Sequence, residues 1–325
     1  MTRIALPPGI SPSVLTGHDR TAAIVDLGGE TMGTTWQLRF AAAPGVDPAQ
    51  LRVAIVARLG TIIAEMSHWE AASRLSAFNR APAGSWHRLP PDFAAVIAAA
   101  LDIAEASGGA FDPTIGRIVA MRGFGAEPAP ASPDAAAIDR ARADAGWHRL
   151  AYDRGAQRLR QPGGVALDLS GIAKGYAVDA VAGLLEDFGI RHGLIEIGGE
   201  LRGAGIRPDG DPWWVDLEDP PGAALPRLRI ALHSLAVATS GDYRRGAHTI
   251  DPRTGRSTAH GLTSVSVLHD RAMQADAWAT ALTVLGPDEG FALATERHLA
   301  ARFLWRADAG VVERITPALQ AMIDG

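Results

Sequence analysis

The chain has 325 residues, 47% of them hydrophobic and 21% charged, and a net charge of −5. This is an ordinary globular composition with room for one large domain or two moderate ones. So mild a charge excludes the basic footprint of a nucleic-acid binder or a polybasic membrane patch, and the absence of cysteine excludes disulfides, thiolate metal sites and cysteine nucleophiles.

The first segment, "MTRIALPPGISPSVLTGHDR" (1–20), has no apolar core of signal-peptide length and is broken by Pro7 and Pro8. It reads as a loose arm. No run of about 18 apolar residues occurs anywhere, so no transmembrane helix is expected, and the compartment expected is the cytoplasm. "TTWQLRF" (34–40) alternates in the manner of a strand. "DPAQLRVAIVARLGTIIAEMS" (47–67) places Leu51, Ile55, Leu59, Ile62 and Met66 at helical spacing, with Asp47 as N-cap and Pro48 in the first turn. A second helix is predicted over 90–109, stopped by Gly108 and Gly109. The Pro- and Ala-rich "GAEPAPASPDAAA" (125–137) reads as a surface loop leading into a helix. "GGVALDLSGIAKGYAVDAVAGLLEDFG" (163–189) reads as strand, glycine turn and helix, and "HGLIEIGGELRGAG" (192–205) as two strands around a Gly-Gly turn. Short strands follow in "WWVDLE", "LRIALHSLAVATSG" and "GLTSVSVLH". A helix over 270–286, another near 287–297 and a terminal hairpin complete the chain. Helices and strands mix without a strict alternation, which predicts an α+β fold with mixed, largely antiparallel sheets and packed helices. The domain reading is the arm over 1–20 and a single domain over 21–325, with a soft sub-lobe boundary near 125–160.

Several stretches carry chemistry. Asp276 and Thr280 are four residues apart on a predicted helix, so they share a face. A carboxylate with a hydroxyl is an all-oxygen pair suited to Mg²⁺ rather than zinc. On this stretch alone the plainer reading is preferred: Asp276 is an acid answering the helix dipole, with Thr280 merely packed. In "DLSGIAKGY" (168–176), Gly171 and Gly175 flank Lys174 at a helix start, where free amides and an ammonium suit an anion. The same glycines also serve a tight turn alone. This is not a P-loop. Asp168 is an acceptor for a ligand ring or a turn residue. "SGGAFDPTIG" (107–116) brings backbone close to a ligand or is a plain loop. His248 is one of ten histidines and stands beside an Asp-Pro-Arg-Thr-Gly turn. Met32-Gly33 precedes a strand, where a flat ring can lie on sulfur. Trp69 is a stacking surface or a core residue.

The blocks M-G-T, M-S-x-W…S-x-F-N, G-G-A-F-D-P-T, D-L-S-G-I-A-K-G-Y, I-G-G-E-L, S-G-D-Y, H-T-I-D-P-R-T-G and A-D-A-W-A-T-A-L-x-V-L-G follow in that order between residues 30 and 286. In this set and order the chain resembles the ApbE family of FAD:protein FMN transferases. The resemblance implies an ApbE-like fold, with two sub-lobes around an FAD cleft. It implies Mg²⁺-dependent transfer of the FMN half of FAD to a threonine or serine hydroxyl of an acceptor protein, with AMP leaving. By residue-to-residue matching, Asp276 and Thr280 are the expected metal ligands, joined by the backbone carbonyl of Gly171. Met32, Trp69, Ala110, Phe111, Asp112, Asp168, Lys174 and Ile250 are expected to line the FAD site, with Lys174 facing phosphate. His248 is the expected general base, and Asp276 the second catalytic residue through its metal.

The chain departs from the family pattern in places. Met66-Ser67-His68-Trp69 stands where M-S-T-Y is frequent, Gly116-Arg117-Ile118-Val119 where G-P-L-V is common, and Glu200 where aspartate is frequent. Family acceptors carry an Asp-x-x-[Ser/Thr]-Gly-[Ala/Ser/Thr]-[Ser/Thr] segment. This chain has none, so modification of itself at such a motif is not expected. Two other readings share these residues: an Mg²⁺-dependent pyrophosphatase that splits FAD into FMN and AMP, and a non-catalytic FAD carrier. A redox flavoenzyme lacks a nicotinamide fingerprint, since "GAGIRPDG" (203–210) does not complete G-x-G-x-x-G.

Overall fold

The structure, a computed structural model, describes residues 2–7, 9, 11–126, 134–242, 246, 248–308 and 310–325. The chain divides into two units. The first takes Met1–Leu59, Lys174–Arg244 and His260–Gly325; the second takes Gly60–Ala173 and Arg245–Ala259. The boundary expected near 125–160 therefore falls inside the second unit. The Pro- and Ala-rich insert marks a connection within that unit: where description resumes, Asp134 caps helix Ala135–Asp144 by accepting from the Ala136 N–H at 3.0 Å. Its residues 127–133 lie outside the described residues.

An eight-stranded sheet dominates the first unit. Its order is Gly310–Ile315, Ala300–Ala307, Leu262–His269, Ser234–Gly241, Glu200–Ala204, Gly193–Ile197, Thr34–Ala41 and Ile24–Thr31. Every neighbouring pair is antiparallel, which agrees with the predicted α+β class. Alternation explains the strand at 34–41: Trp36, Leu38 and Phe40 are buried, while Thr35, Gln37 and Arg39 are exposed, the period of two that puts one face on a core. Leu262–His269 is buried almost throughout. Helix Ala272–Glu296 packs on it and on Ser234–Gly241. That helix breaks at Gly286 (φ 84°, ψ −173°), with Pro287 next, so the two predicted helices are there, joined by a kink.

The arm is not loose throughout. Arg3–Ala5 forms a strand parallel to Leu228–Leu232, which pairs with Trp213–Asp216 on its other side. Arg3 anchors it by an ion pair of 2.6 Å to Glu313, which also pairs with buried Arg302 at 2.6 Å. Helix Pro317–Asp324, not expected from the sequence, packs on this strand. Three residues are too few to show a period, which is why the strand is invisible in the sequence.

In the second unit, helix Pro91–Ala106 and the short helix Arg74–Asn79 accompany a three-stranded sheet of Trp86–Arg88, Arg158–Arg160 and Ala151–Asp153. The strand expected within 163–169 joins no sheet. Its backbone makes one isolated bridge, Ala166 to Ile115; the Asp168 N–H donates to the Pro113 carbonyl at 2.8 Å, the Gln161 amide donates to the Val165 carbonyl at 3.3 Å, and Asn79 holds Leu167. The Asn79 amide donates to the Leu167 carbonyl at 3.0 Å and accepts from the Leu167 N–H at 2.7 Å. Side chains and a loop thus take the place of a neighbouring strand. Helix Pro48–Met66 forms as predicted: Asp47 accepts from the Ala49 N–H at 2.9 Å, and Leu51, Ile55, Leu59, Ile62 and Met66 are all buried. Among the described residues, no helix is long and apolar enough to cross a membrane.

Candidate functional site

Helices Ala173–Asp187 and Ala272–Glu296 meet in the first unit through a reciprocal pair of contacts. Gly175 and Asp179 lie one turn apart on the former, Ala272 and Asp276 one turn apart on the latter. The Gly175 N–H donates to Asp276 Oδ2 at 3.0 Å. In return the Asp179 carboxylate accepts from the N–H groups of Ala272 and Met273, each at 3.0 Å. The Ala272 helix has no cap from its own preceding residue, so an acid on another helix satisfies its first amides. The approach is close enough to demand glycine: a Cβ at 175 would stand 2.2 Å from the Ala272 carbonyl oxygen.

Asp276 is 4% exposed. Burial pushes its carboxyl above the usual range, opposed by the Lys174 charge and the Gly175 N–H. Glu200, 2% exposed, accepts from Lys174 Nζ at 2.5 Å. Burial pushes its carboxyl up to about 7; the Lys174 charge works against this and the Asp276 charge adds to it. Its second oxygen is buried with no hydrogen-bond partner among the described residues. Two buried acids thus share the influence of one ammonium, a charge imbalance that a further cation offsets. Thr280, half-buried one turn beyond Asp276, has its hydroxyl 3.3 Å from that of Ser240. A carboxylate and a hydroxyl on one face fit a hard, oxygen-seeking divalent cation. Met32 heads the turn between strands Ile24–Thr31 and Thr34–Ala41, where a two-residue loop favours left-handed backbone. It adopts φ 48° and Gly33 φ 70°, an uncommon conformation for a non-glycine residue.

The remaining expected residues fall in the second unit. Gly171 lies in the turn ahead of the helix that begins at Ala173, where the Ala173 N–H bonds the Leu169 carbonyl at 2.8 Å. Asp168 is buried, accepts from the Ser170 N–H at 2.8 Å, and has His68 Nδ1 4.0 Å from its Oδ1. Trp69, adjacent to His68, is 61% exposed, so it is not a core residue. Ala110 and Phe111 are buried in the core, as is Ile250, which packs with Ile118, Ile138 and Ala141. At these positions backbone is what remains for a ligand. Asp112 accepts from the Thr114 N–H and hydroxyl at 2.8 and 2.6 Å, and from the Trp147 N–H at 3.1 Å. It works first as the organiser of its own loop, and burial raises its pKa despite these bonds.

His248 Nδ1 lies 2.9 Å from the Gly246 carbonyl, and its ring stands edge-on to Phe124 at 6.2 Å between centroids. A carbonyl only accepts, so Nδ1 carries a proton and Nε2 is the nitrogen turned to other partners. Tyr243, Arg244, Arg245 and Ala247 of the same block lie outside the described residues.

Sequence reasoning passed over three supports of these residues. Asp179 caps the Ala272 helix, Glu200 holds Lys174, and Asn79 holds the Asp168 segment. The only available signal was local: Asp179 is four residues after Gly175, and Asn79 closes the S-x-F-N block. The long-range halves of these contacts leave no periodic trace.

A model of the ApbE family matches residues 32–303. The chain is 32% identical to a FAD:protein FMN transferase of Haemophilus influenzae, across 95% of this chain and 94% of that protein. It is 34% identical to one of Vibrio cholerae, across 92% and 93%. Among solved structures, the flavinyl transferase ApbE of Pseudomonas stutzeri in its apo form matches with a TM-score of 0.87 and 34% identity, over 93% of this chain and 97% of that one. The flavin transferase ApbE of V. cholerae matches with the same score and 33% identity, over 92% and 99%. With the family model covering most of its length and relatives aligned almost end to end, the chain belongs to the ApbE family.

Proposed function

We propose that this chain transfers the FMN moiety of FAD to a threonine or serine hydroxyl of an acceptor protein and releases AMP, with Mg²⁺ held by Asp276, Thr280 and the Gly171 carbonyl. The observation that carries the reading is the buried Asp276 carboxylate, one turn from the Thr280 hydroxyl, in a chain whose relatives are named FAD:protein FMN transferases. When bound, the cation supplies charge neutralisation at the pyrophosphate.

The rest falls to the chain's own groups. Lys174 places an ammonium against the phosphates. Trp69 offers an exposed indole face for a flat ring. Asp168 accepts a hydrogen bond from a ring edge, and Met32, Ala110, Phe111, Asp112 and Ile250 shape the surroundings of FAD. His248 Nε2 takes the proton of the acceptor hydroxyl. The acceptor oxygen then bonds to the FMN phosphorus, and the bond from that phosphorus to the bridging oxygen breaks. AMP leaves with the bonding electrons. Such chemistry is mostly positioning and charge neutralisation, which suits a site of fixed buried charges.

The test is incubation with FAD and Mg²⁺, with and without a peptide carrying Asp-x-x-Thr-Gly-Ala-Thr, reading AMP and peptide mass. An FMN-sized gain on the peptide threonine that depends on Mg²⁺ is expected. AMP without adduct identifies a pyrophosphatase instead, and bound FAD with neither product a carrier.

A further inference from the structure

Glu200 opens strand Glu200–Ala204 directly after the Gly198-Gly199 turn, whose φ angles of 63° and 104° suit glycine. It is more deeply buried than Lys174: 2% of its side chain is exposed, against 26% for the lysine. One carboxylate oxygen meets Lys174 Nζ and the other has no hydrogen-bond partner among the described residues. A carboxylate kept out of water beside the negative Asp276 is costly unless its pairing serves something. Lysine has a flexible four-carbon stem and a point-like charge, so an ammonium that must meet a phosphate at one place needs an external hold. The buried end of the pair provides it, holding the ammonium of the partly exposed Lys174 side chain in a fixed position.

We propose that Glu200 is a positioning residue of the transfer reaction, acting on FAD only through the Lys174 ammonium that it holds. This rests on the reading above that Lys174 faces the FAD phosphates.

A double-mutant cycle tests this with the full chain, FAD, Mg²⁺ and the threonine peptide. The variants are Glu200→Gln, Lys174→Met, the double variant and Glu200→Asp, each first checked by thermal melting. The expected result is a loss in kcat/KM for FAD of about ten- to a hundredfold for Glu200→Gln, as for a misplaced binding group. Glu200→Asp, which keeps the charge, recovers part of the loss. In the Lys174→Met background Glu200→Gln has no further effect. If Lys174→Met is impaired but Glu200→Gln is not, the proposal falls and the phosphate role of Lys174 stands. An equal loss from Glu200→Gln in both backgrounds also overturns it, because Glu200 then acts without the lysine. If Lys174→Met leaves kcat/KM for FAD unchanged, the underlying reading fails and the proposal with it. Should Glu200→Gln not fold, Glu200→Asp takes its place in the cycle, and equal effects in the two backgrounds again refute the proposal.

Discussion

His248 Nδ1 donates to the Gly246 carbonyl, which leaves Nε2 for the proposed proton transfer. The alanine variant should still bind FAD, as followed by flavin fluorescence, while adduct formation drops by about two to four orders of magnitude, the usual worth of a general base. Full flavinylation of the peptide by His248→Ala would remove it from the role. Asp276 should fail differently. With one of the proposed ligand oxygens replaced by an amide nitrogen, Asp276→Asn should need about tenfold more Mg²⁺ for half-maximal AMP release; unchanged turnover at low Mg²⁺ would refute its assignment. Both residues are singled out only by their places in the family blocks; taken alone, His248 is one of ten histidines and Asp276 an acid near a helix start. Glu200 was legible only as a departure from the pattern, because its link to Lys174 spans 26 residues and depends on how a strand and a helix meet.

At the scale of elements, the start of the Ala272 helix is fixed from outside. Asp179 supplies its cap, the Gly175 N–H takes hold of Asp276, and the absent side chain at 175 permits both. Gly175→Ala should therefore destabilise by about 1–3 kcal/mol or more, as overpacking does, and should also raise the Mg²⁺ requirement by displacing Asp276. Gly183 lies on the same helix with nothing within 4 Å of an added Cβ. Gly183→Ala should instead stabilise by about 0.5–1 kcal/mol, since it lowers the entropy of the unfolded chain without a clash. Urea melts of the two variants decide the matter: shifts of the same sign would mean that close helix approach is not what demands glycine at 175. The helix starting at Ala173 was readable from its glycine-rich turn. The apolar alternation of the preceding segment is real, but its backbone is satisfied by the Asn79 and Gln161 side chains and the loop at 113–116 rather than by a sheet neighbour.

Over the whole molecule, most strands of the large sheet were readable from their alternation and turns, down to the Gly198-Gly199 hairpin, whereas Ile24–Thr31, half-exposed and carrying two glycines, and the three-residue strands of the second unit were not. Nor was the sheet order, because residues 200–204 and 234–241 pair across an intervening segment that includes two strands of another sheet. The division into units was hidden too, since each is assembled from separate stretches of chain. Stability against pH is a property of this whole assembly, and its buried groups pull in opposite directions. Buried acids with raised pKa values add stability on acidification. Buried histidines with lowered values subtract it. His192 isolates the second effect. Its Nδ1 accepts from the Ile206 N–H at 3.1 Å, and its pKa is lowered first by burial and then by the charges of His18 and Arg191, with backbone contacts opposing. Below the ordinary value of 6.5 the unfolded chain takes up this proton before the folded one, so His192 costs stability as pH falls. His192→Asn keeps an acceptor near the Ile206 N–H but does not titrate. The unfolding free energy of the variant relative to the parent should thus rise as pH drops from about 7.5 to about 5.5, by at most about 1.4 kcal/mol per pH unit for one proton. Denaturant melts at both ends of that range measure it. A difference that stays flat would show that His192 is protonated equally in the folded and unfolded chain, and that its burial within the first unit does not control its charge.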